Sequence, residues 1–305
     1  MLPDSPPPPA ASENAQAAVP GMIDRNRALL SEAEMHVYKT INGQDLAAYV
    51  FHPKNQDASA PPAQGPHPAV AFFFSSTWDS GLISQFAPQC LYFCHRGMVA
   101  VLFDYRVASR HGTGPIEAMQ DARSALRWLR INAAALHINP DQIVAAGGAA
   151  GAQLAASAAM LEGFDDLGDD PATPCSPNAL ILFNPILDTT RKGSELEKFP
   201  AKAAAKAASP LHNAKRKLPP MLIFHGTADR VIPCETSRKF CRKMRWRGND
   251  CRLSAFDGCG HGFFNFNVDA TLYELTLNAA DAFLVEKGFL PPPVDVDTEP
   301  RLARI

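Results

Sequence analysis

Short apolar runs rich in Val, Ile and Phe alternate along this chain with longer amphipathic stretches, and that alternation limits the fold more than any other feature. Parallel strands covered on both faces read as near-continuous apolar runs, and each needs a crossover segment, usually a helix, before the next. The runs predict strands over residues 35–40 and 46–51, an antiparallel opening pair, then 69–74, 99–103, 142–146, 179–183, 221–224 and 252–256. Helical patterns fall at 85–94, 116–135, 152–161, 234–247 and 271–287. Gly97, Gly248 and Gly288 sit just past three of these patterns, where a left-handed C-cap needs no Cβ. The expected fold class is α/β: one mostly parallel sheet of about eight strands with helices on both faces.

At 305 residues the chain is long enough for one large α/β domain, expected over 31–290. Residues 1–30 open with four consecutive prolines and are expected to be a flexible arm, and 291–305 a C-terminal tail. The first twenty or so residues have no basic n-region and no apolar h-region, so no signal peptide is expected in this chain. A soluble protein is expected, cytoplasmic, or secreted or periplasmic if a leader has been removed. No apolar run is long enough for a membrane span. A net charge of −2 gives no field to steer a polyanion, so nucleic acid is not an expected partner, and the sequence leaves the oligomeric state open. Seven cysteines show no close CxxC pair, so no metal is expected. Cys241 and Cys251 could be bridged if their helix and strand are neighbours, the alternative being buried reduced thiols. Residues 163–176 and the Lys/Ala-rich stretch 191–217 fit no core strand, and the second is a candidate cap-like insertion over a site at the strand C-termini.

The predicted strand 142–146 runs into Gly147-Gly148-Ala149-Ala150-Gly151 and then a helix-forming stretch. A tight strand-to-helix turn of this kind holds its central residue in a strained conformation, and small neighbours are required because any Cβ nearby would collide. In such an elbow the central residue is a nucleophilic serine; here it is Ala149. A glycine-rich dinucleotide loop is the weaker reading, since that fingerprint belongs near the first βα unit and these glycines follow about the fifth strand; no cofactor is expected. Farther on, strand 221–224 ends in His225-Gly226-Thr227-Ala228-Asp229, and strand 252–256 is followed by Asp257-Gly258-Cys259-Gly260-His261-Gly262. The order is elbow, acid, histidine, with the acid Asp229 and the base His261 each in a loop after a parallel strand. The loop after strand 69–74 reads Ser75-Ser76-Thr77-Trp78-Asp79 where oxyanion loops carry glycines, so its backbone N–H groups are not free to take every conformation.

With these residues in view the chain resembles the acetyl-esterase branch of the α/β-hydrolases, the carbohydrate-esterase and hormone-sensitive-lipase-like proteins. The resemblance covers roughly residues 69–290 and rests on Phe72-Phe73-Phe74 leading to Trp78, Asp104-Tyr105-Arg106, Asn184-Pro185 with Leu187-Asp188, the Asp229 segment and Gly260-His261-Gly262-Phe263-Phe264. It implies that Asp229 is the triad acid, His261 the base, position 149 the nucleophile, and Ser76, Thr77 and Ala150 the oxyanion donors; Ser75, Trp78 and Asp79 are expected to meet a small ester or acylated substrate. Three readings stay open: an esterase whose serine has been exchanged for alanine, a non-hydrolytic ligand-binding member of the fold, and a lyase-type enzyme with His261 as general base, in which a hydroxyl of Ser75 or Ser76 could also serve as a nucleophile.

Overall fold

A computed structural model of the chain describes residues 22–53 and 65–293. Its strands are β1 (Glu34–Ile41), β2 (Gln44–Phe51), β3 (His67–Ser76), β4 (Val99–Phe103), β5 (Ile138–Gly148), β6 (Ala179–Phe183), β7 (Met221–Gly226) and β8 (Cys251–Phe256). The helices are α1 (Met22–Ala28), α2 (Ala87–His95), α3 (Ala108–His111), α4 (Pro115–Ile131), α5 (Ala149–Met160), α6 (Lys202–Ala207), α7 (Cys234–Trp246) and α8 (Ala270–Glu286). The strands make one sheet in the order β1-β2-β4-β3-β5-β6-β7-β8. β1 and β2 pair antiparallel, β2 meets β4 antiparallel, and every later pairing is parallel. Strands β5, β7 and β8 therefore all point their C-terminal ends to one edge, and the three expected site positions follow those ends.

Alternation along the strands divides the core into two layers. Phe73, Val101, Ala145 and Leu182 pack with residues of α4, α5 and α7 on one face, whereas Phe72, Leu102, Ala146 and Ile181 pack with α2 and α8 on the other. Gly97, Gly248 and Gly288 have φ of 91°, 81° and 76°, the left-handed caps their positions call for.

One expectation needs adjustment. The chain is helical from Met22 to Ala28 and turns through a 3-10 segment at Leu29–Glu32, so the arm expected to be flexible through residue 30 is ordered over its last part; Leu29 and Leu30 pack against the α2/α8 layer. Residues 1–21 and 294–305, with most of the expected arm and tail, lie outside the described residues. The segment 163–176, which fits no core strand, runs over the surface and is clamped onto α4: Arg123 pairs with Asp165 at 2.9 Å, Arg127 with Asp169 at 2.8 Å, and Arg130 bonds the carbonyls of Pro174 and Ser176. Cys241 and Cys251 do lie side by side, 3.0 Å apart at sulfur and buried, as thiols.

The polar tie between β1 and α4 is Asp121, whose side chain is fully buried. It accepts from Arg106 N, Nε and Nη2 at 3.0, 2.7 and 2.8 Å and faces Lys39 Nζ at 2.9 Å. Removing its charge leaves Lys39 and Arg106 to share Asp166, 2.9 and 4.0 Å away. Asp121→Asn is therefore expected to lower the unfolding free energy by about 1–3 kcal/mol, the cost of weakening buried hydrogen bonds to charged groups, measured by urea unfolding at neutral pH.

Candidate active site

The elbow is formed by the last residues of β5 and the first turn of α5. Ala149 has φ +49°, a left-handed conformation that costs an L-residue about 1–2 kcal/mol, and it is 3% exposed. What holds it there is packing. A Cβ on Gly151 would lie 2.3 Å from the carbonyl oxygens of both Phe73 and Phe74, and one on Gly147 would lie 2.6 Å from Phe73 O, so only glycine lets α5 start this close to β3. The main chain of Ser76 makes a parallel bridge with Ala149, which sets the loop after β3 directly beside the elbow.

Asp229 and His261, the expected acid and base, are joined. His261 Nδ1 lies 2.7 Å from Asp229 Oδ2, and Asp229 Oδ1 accepts from Val231 N and Ile232 N at 2.8 and 2.9 Å. Burial by itself pushes the Asp229 carboxyl up; the hydrogen bonds from His225 and His261, the nearby imidazole and the Ile232 amide outweigh it and hold the group well below the usual carboxylate range. An ionised Asp229 accepts the Nδ1 proton, which leaves Nε2 of His261 bare and able to take a proton from a nucleophile. His225 stands behind the pair, fully buried, with Nε2 2.9 Å from Ile232 O and 3.4 Å from Asp229 Oδ2, and Nδ1 2.8 Å from Ser237 Oγ. Because Ile232 O can only accept, the neutral ring carries its proton on Nε2 and receives the Ser237 hydroxyl at Nδ1.

The base loop and the elbow share one support. Asn184, at the end of β6 with φ +41°, donates from Nδ2 to His261 O; two residues later Ile186 N donates to Ala149 O at 3.1 Å. Residues 184–186 therefore carry backbone contacts to both positions. Gly226 completes the approach, since a Cβ there would stand 2.2 Å from Cys259 O in the base loop.

The loop after β3 is organised by Tyr105. Its ring stacks on Phe74 with centroids 4.0 Å apart, its hydroxyl donates to Phe74 O at 2.8 Å, and burial pushes the phenol far up, so it keeps its proton. With that proton spent on Phe74, the 2.8 Å contact with Ser76 Oγ is donated by Ser76, which in turn accepts from Trp78 N at 2.9 Å. Ser76 thus has no hydroxyl proton to offer His261, and the sequence-level option of Ser76 as a substitute nucleophile loses its chemistry. Ser75 N donates to Gln85 Oε1 at 2.6 Å, which removes that amide from any oxyanion role. Thr77 and Asp79 are exposed; Trp78 is buried at φ +59°, with its carbonyl bonded by Ala108 N at 2.9 Å and its ring edge-on to Phe199 at 5.9 Å. Phe199 belongs to the insertion 191–217, so that segment reaches the site loop. Ala150 lies in the first turn of α5, where helix N–H groups have no intrahelical acceptor.

The sequence marked Asn184 only as part of a pattern and did not mark Gln85, Asn265 or the role of Tyr105; Gln85 and Asn265 are 180 residues apart, and Tyr105 is 31 from Phe74. Among the described residues no group of three or more His, Cys, Asp and Glu is placed to hold a metal ion, and no helix is long and apolar enough to cross a membrane.

Two outcomes test this assembly. Gly151→Ala, which drives a Cβ into two carbonyl oxygens, is expected to cost about 3 kcal/mol or more, whereas Ala149→Gly removes about 1–2 kcal/mol of left-handed strain against about 0.4–1 kcal/mol of added unfolded-state entropy and leaves stability equal or slightly higher; paired urea titrations compare them. Asp229→Asn is expected to lose on the order of 1–3 kcal/mol at pH 7. Because the folded-state pKa of Asp229 is depressed, its contribution is present above the unfolded carboxylate value of about 3.9 and fades as the pH falls below it. The stability gap between parent and variant should therefore hold from pH 7 to about 5 and shrink as unfolding is measured below about pH 4.

The chain and its fold are similar to those of known esterases. The BD-FAE family model matches residues 57–244, more than half of the chain. Esterase 2 of Thermogutta terrifontis, in a form phosphoramylated by tabun, is 45% identical with a TM-score of 0.81, over 87% of this chain and 98% of that one. Its propionate-bound and butyrate-bound forms are 44% and 43% identical, each with a TM-score of 0.80 and the same shares of the two chains. Esterase LipC of Mycobacterium tuberculosis is 26% identical over 268 residues, 77% of this chain. The chain spans 62% of the length of LipC and 47% of a probable isoprenylcysteine alpha-carbonyl methylesterase of Arabidopsis thaliana. The elbow, the parallel sheet and these matches together place the chain in the BD-FAE family of esterase-type α/β-hydrolases.

Proposed function

We propose that this protein is a short-chain carboxylic-ester hydrolase scaffold whose nucleophile position holds Ala149, so that as written it takes up small esters and their acids without turning them over. The observation that carries the reading is the left-handed alanine at the elbow: φ +49° is maintained at a position where alanine gains nothing from the strain. Backbone strain of this kind persists where it aims a side chain, and the acid–base pair at 2.7 Å follows in chain order.

With a serine at 149, its Oγ would attack the ester carbonyl while His261 Nε2 takes the proton, and Asp229 would stabilise the imidazolium; His261 would then protonate the departing alkoxide, and water activated by the same imidazole would release the acid. The backbone N–H groups of Ser76, Thr77 and Ala150 are the proposed donors to the oxyanion, and Ser75, Trp78 and Asp79 form the wall on which the substrate lies. Residues 191–217 act as a cap through Phe199. The propionate- and butyrate-bound forms of the Thermogutta esterase support a short acyl group. No cofactor enters this chemistry. A methyl group at 149 cannot attack, and loss of a triad nucleophile typically costs on the order of a million-fold in turnover.

One observation favours the non-hydrolytic, ligand-binding reading: the amide of Ser75 is engaged by Gln85 and the loop carries no glycine from Phe74 to Ser80. The two readings part on one substitution. Ala149→Ser is expected to raise kcat/KM for p-nitrophenyl butyrate by several orders of magnitude over the parent, and His261→Ala on that background should abolish the gain. A rescue about a hundred- to thousand-fold below that of ordinary esterases would mark a missing oxyanion donor. No rescue in a folded protein removes the hydrolase reading and leaves the binding one.

A further inference from the structure

His261 lies in a segment of turns between β8 and α8, where no helix or sheet fixes the backbone. Its two nearest carbonyls are nevertheless both tied. Asn184 Nδ2 donates to His261 O, and Asn265 Nδ2 donates to Gly262 O at 2.9 Å. Both asparagines are buried, Asn184 completely.

The opposite end of each carboxamide reaches a different wall of the site. Asn184 Oδ1 accepts from Gly226 N at 3.1 Å, where β7 enters the Asp229 turn. Asn265 Oδ1 accepts from Gln85 Nε2 at 2.9 Å, and Gln85 Oε1 accepts from Ser75 N at 2.6 Å at the end of β3. The direction of every bond is fixed by main-chain groups that can act in only one sense: a carbonyl must face an NH2, and an amide N–H must face a side-chain oxygen. Turning over Asn184 would set donor against donor and acceptor against acceptor at its two ends, and turning over Gln85 or Asn265 would do the same along the chain Ser75–Gln85–Asn265–Gly262. The polarity is consistent throughout, so the two carboxamide links can act as struts of fixed length.

We propose that Asn184 and Asn265 are a pair of positioning residues that set the location of the His261 imidazole, Asn184 from the side of the acid loop and Asn265, through Gln85, from the side of the β3 loop. The proposal rests on the reading of His261 as the base. It gives a reason for two buried asparagines and a half-buried glutamine whose hydrogen bonds reach neither Asp229 nor Ala149. It also makes the β3 loop and the base loop a single mechanical unit: a shift of Ser75 is passed to Gly262 through two side chains.

The test uses the chain as it stands, with 15N-labelled histidine. Nδ1 and Nε2 of His261 are identified by their loss in His261→Gln. In the parent, the long-range proton–nitrogen spectrum should give two distinct ring shifts, a protonated Nδ1 and a bare Nε2. In Asn184→Ala and Asn265→Ala the two shifts should move toward each other as the ring leaves Asp229 and exchanges tautomers, and Gln85→Met, nearly isosteric and without polar groups, should move them part of the way. Asn249→Ala is the control for general loss of a buried amide, because Asn249 is also buried and bonded to Leu218 N and Lys215 O but sits before β8, at the far end of that strand; it should leave the ring shifts in place. Thermal melts verify folding, and if Asn184→Ala does not fold, Asn265→Ala and Gln85→Met decide. On the Ala149→Ser background, kcat should fall about a hundredfold in either asparagine variant, the scale of a misplacement near 1 Å, with KM little changed. Unmoved ring shifts in the folded asparagine variants overturn the proposal, as does an equal movement in Asn249→Ala. Moved shifts with no activity in any serine variant keep the positioning role and remove the esterase reading, so the two can fail separately.

Discussion

The start of α5 lies so close to β3 that Gly151 can carry no side chain, and the rest of the site depends on that approach. A Cβ at 151 would sit 2.3 Å from the carbonyl oxygens of Phe73 and Phe74, well inside any tolerable contact. With α5 held there, β5 must turn into the helix within one residue, and Ala149 absorbs the turn at φ +49°. The parallel register of β3 against β5, with Phe73 opposite Gly147, slips by one residue at the elbow so that Ser76 lies beside Ala149, and Ile186, following β6, closes on Ala149 O from the other side. Close backbone packing, more than any single side-chain interaction, fixes where a residue at 149 points.

Around this rigid turn the acid and base are held by hydrogen bonds whose donors and acceptors match. Asp229 is buried, which alone would favour its neutral form, yet it receives two main-chain N–H groups and an imidazole, and these keep it ionised. An ionised carboxylate dictates that His261 carries its proton on Nδ1, and that choice decides which ring nitrogen is free for chemistry. His225 repeats the logic one layer deeper: Ile232 O and Ser237 Oγ fix the orientation of a second buried imidazole, which stands 3.4 Å from the same carboxylate.

Elements whose signal is local were legible in the sequence. All eight strands and the five long helices follow from apolar runs and period, with shifts at the ends such as β5, which begins at Ile138 and continues through Gly148, and α4, which stops at Ile131 and not at 135. The elbow glycines, the acid and the histidine were legible because each sits at a fixed offset from a strand end. What was hidden depends on partners distant in sequence: Gln85 with Asn265, Tyr105 with Ser76, and Arg123 and Arg127 with the aspartates of 165–169. A polar segment such as 163–176 reads as a loose excursion until α4 is seen to offer it arginines. The helix at Met22–Ala28 was hidden by the proline-rich composition that precedes it.

The loop after β3 holds a left-handed residue without a glycine. Ser75, Ser76 and Thr77 stand where glycines were expected and none of them has a positive φ, whereas Trp78, the next residue, adopts φ +59°. The cost for a bulky residue, about 1–2 kcal/mol, is met by bonds that only this conformation allows: Trp78 N to Ser76 Oγ, Ala108 N to Trp78 O, and Ser109 N to Asp79 O, with Phe199 against the indole. Glycine would leave such a loop free to move. Tyr105, Ser76 and the start of α3 hold it in one place, and the hydroxyl of Ser76 is consumed in doing so. A serine that braces the loop cannot also be the attacking group, so Ser76 does not replace a nucleophile at position 149.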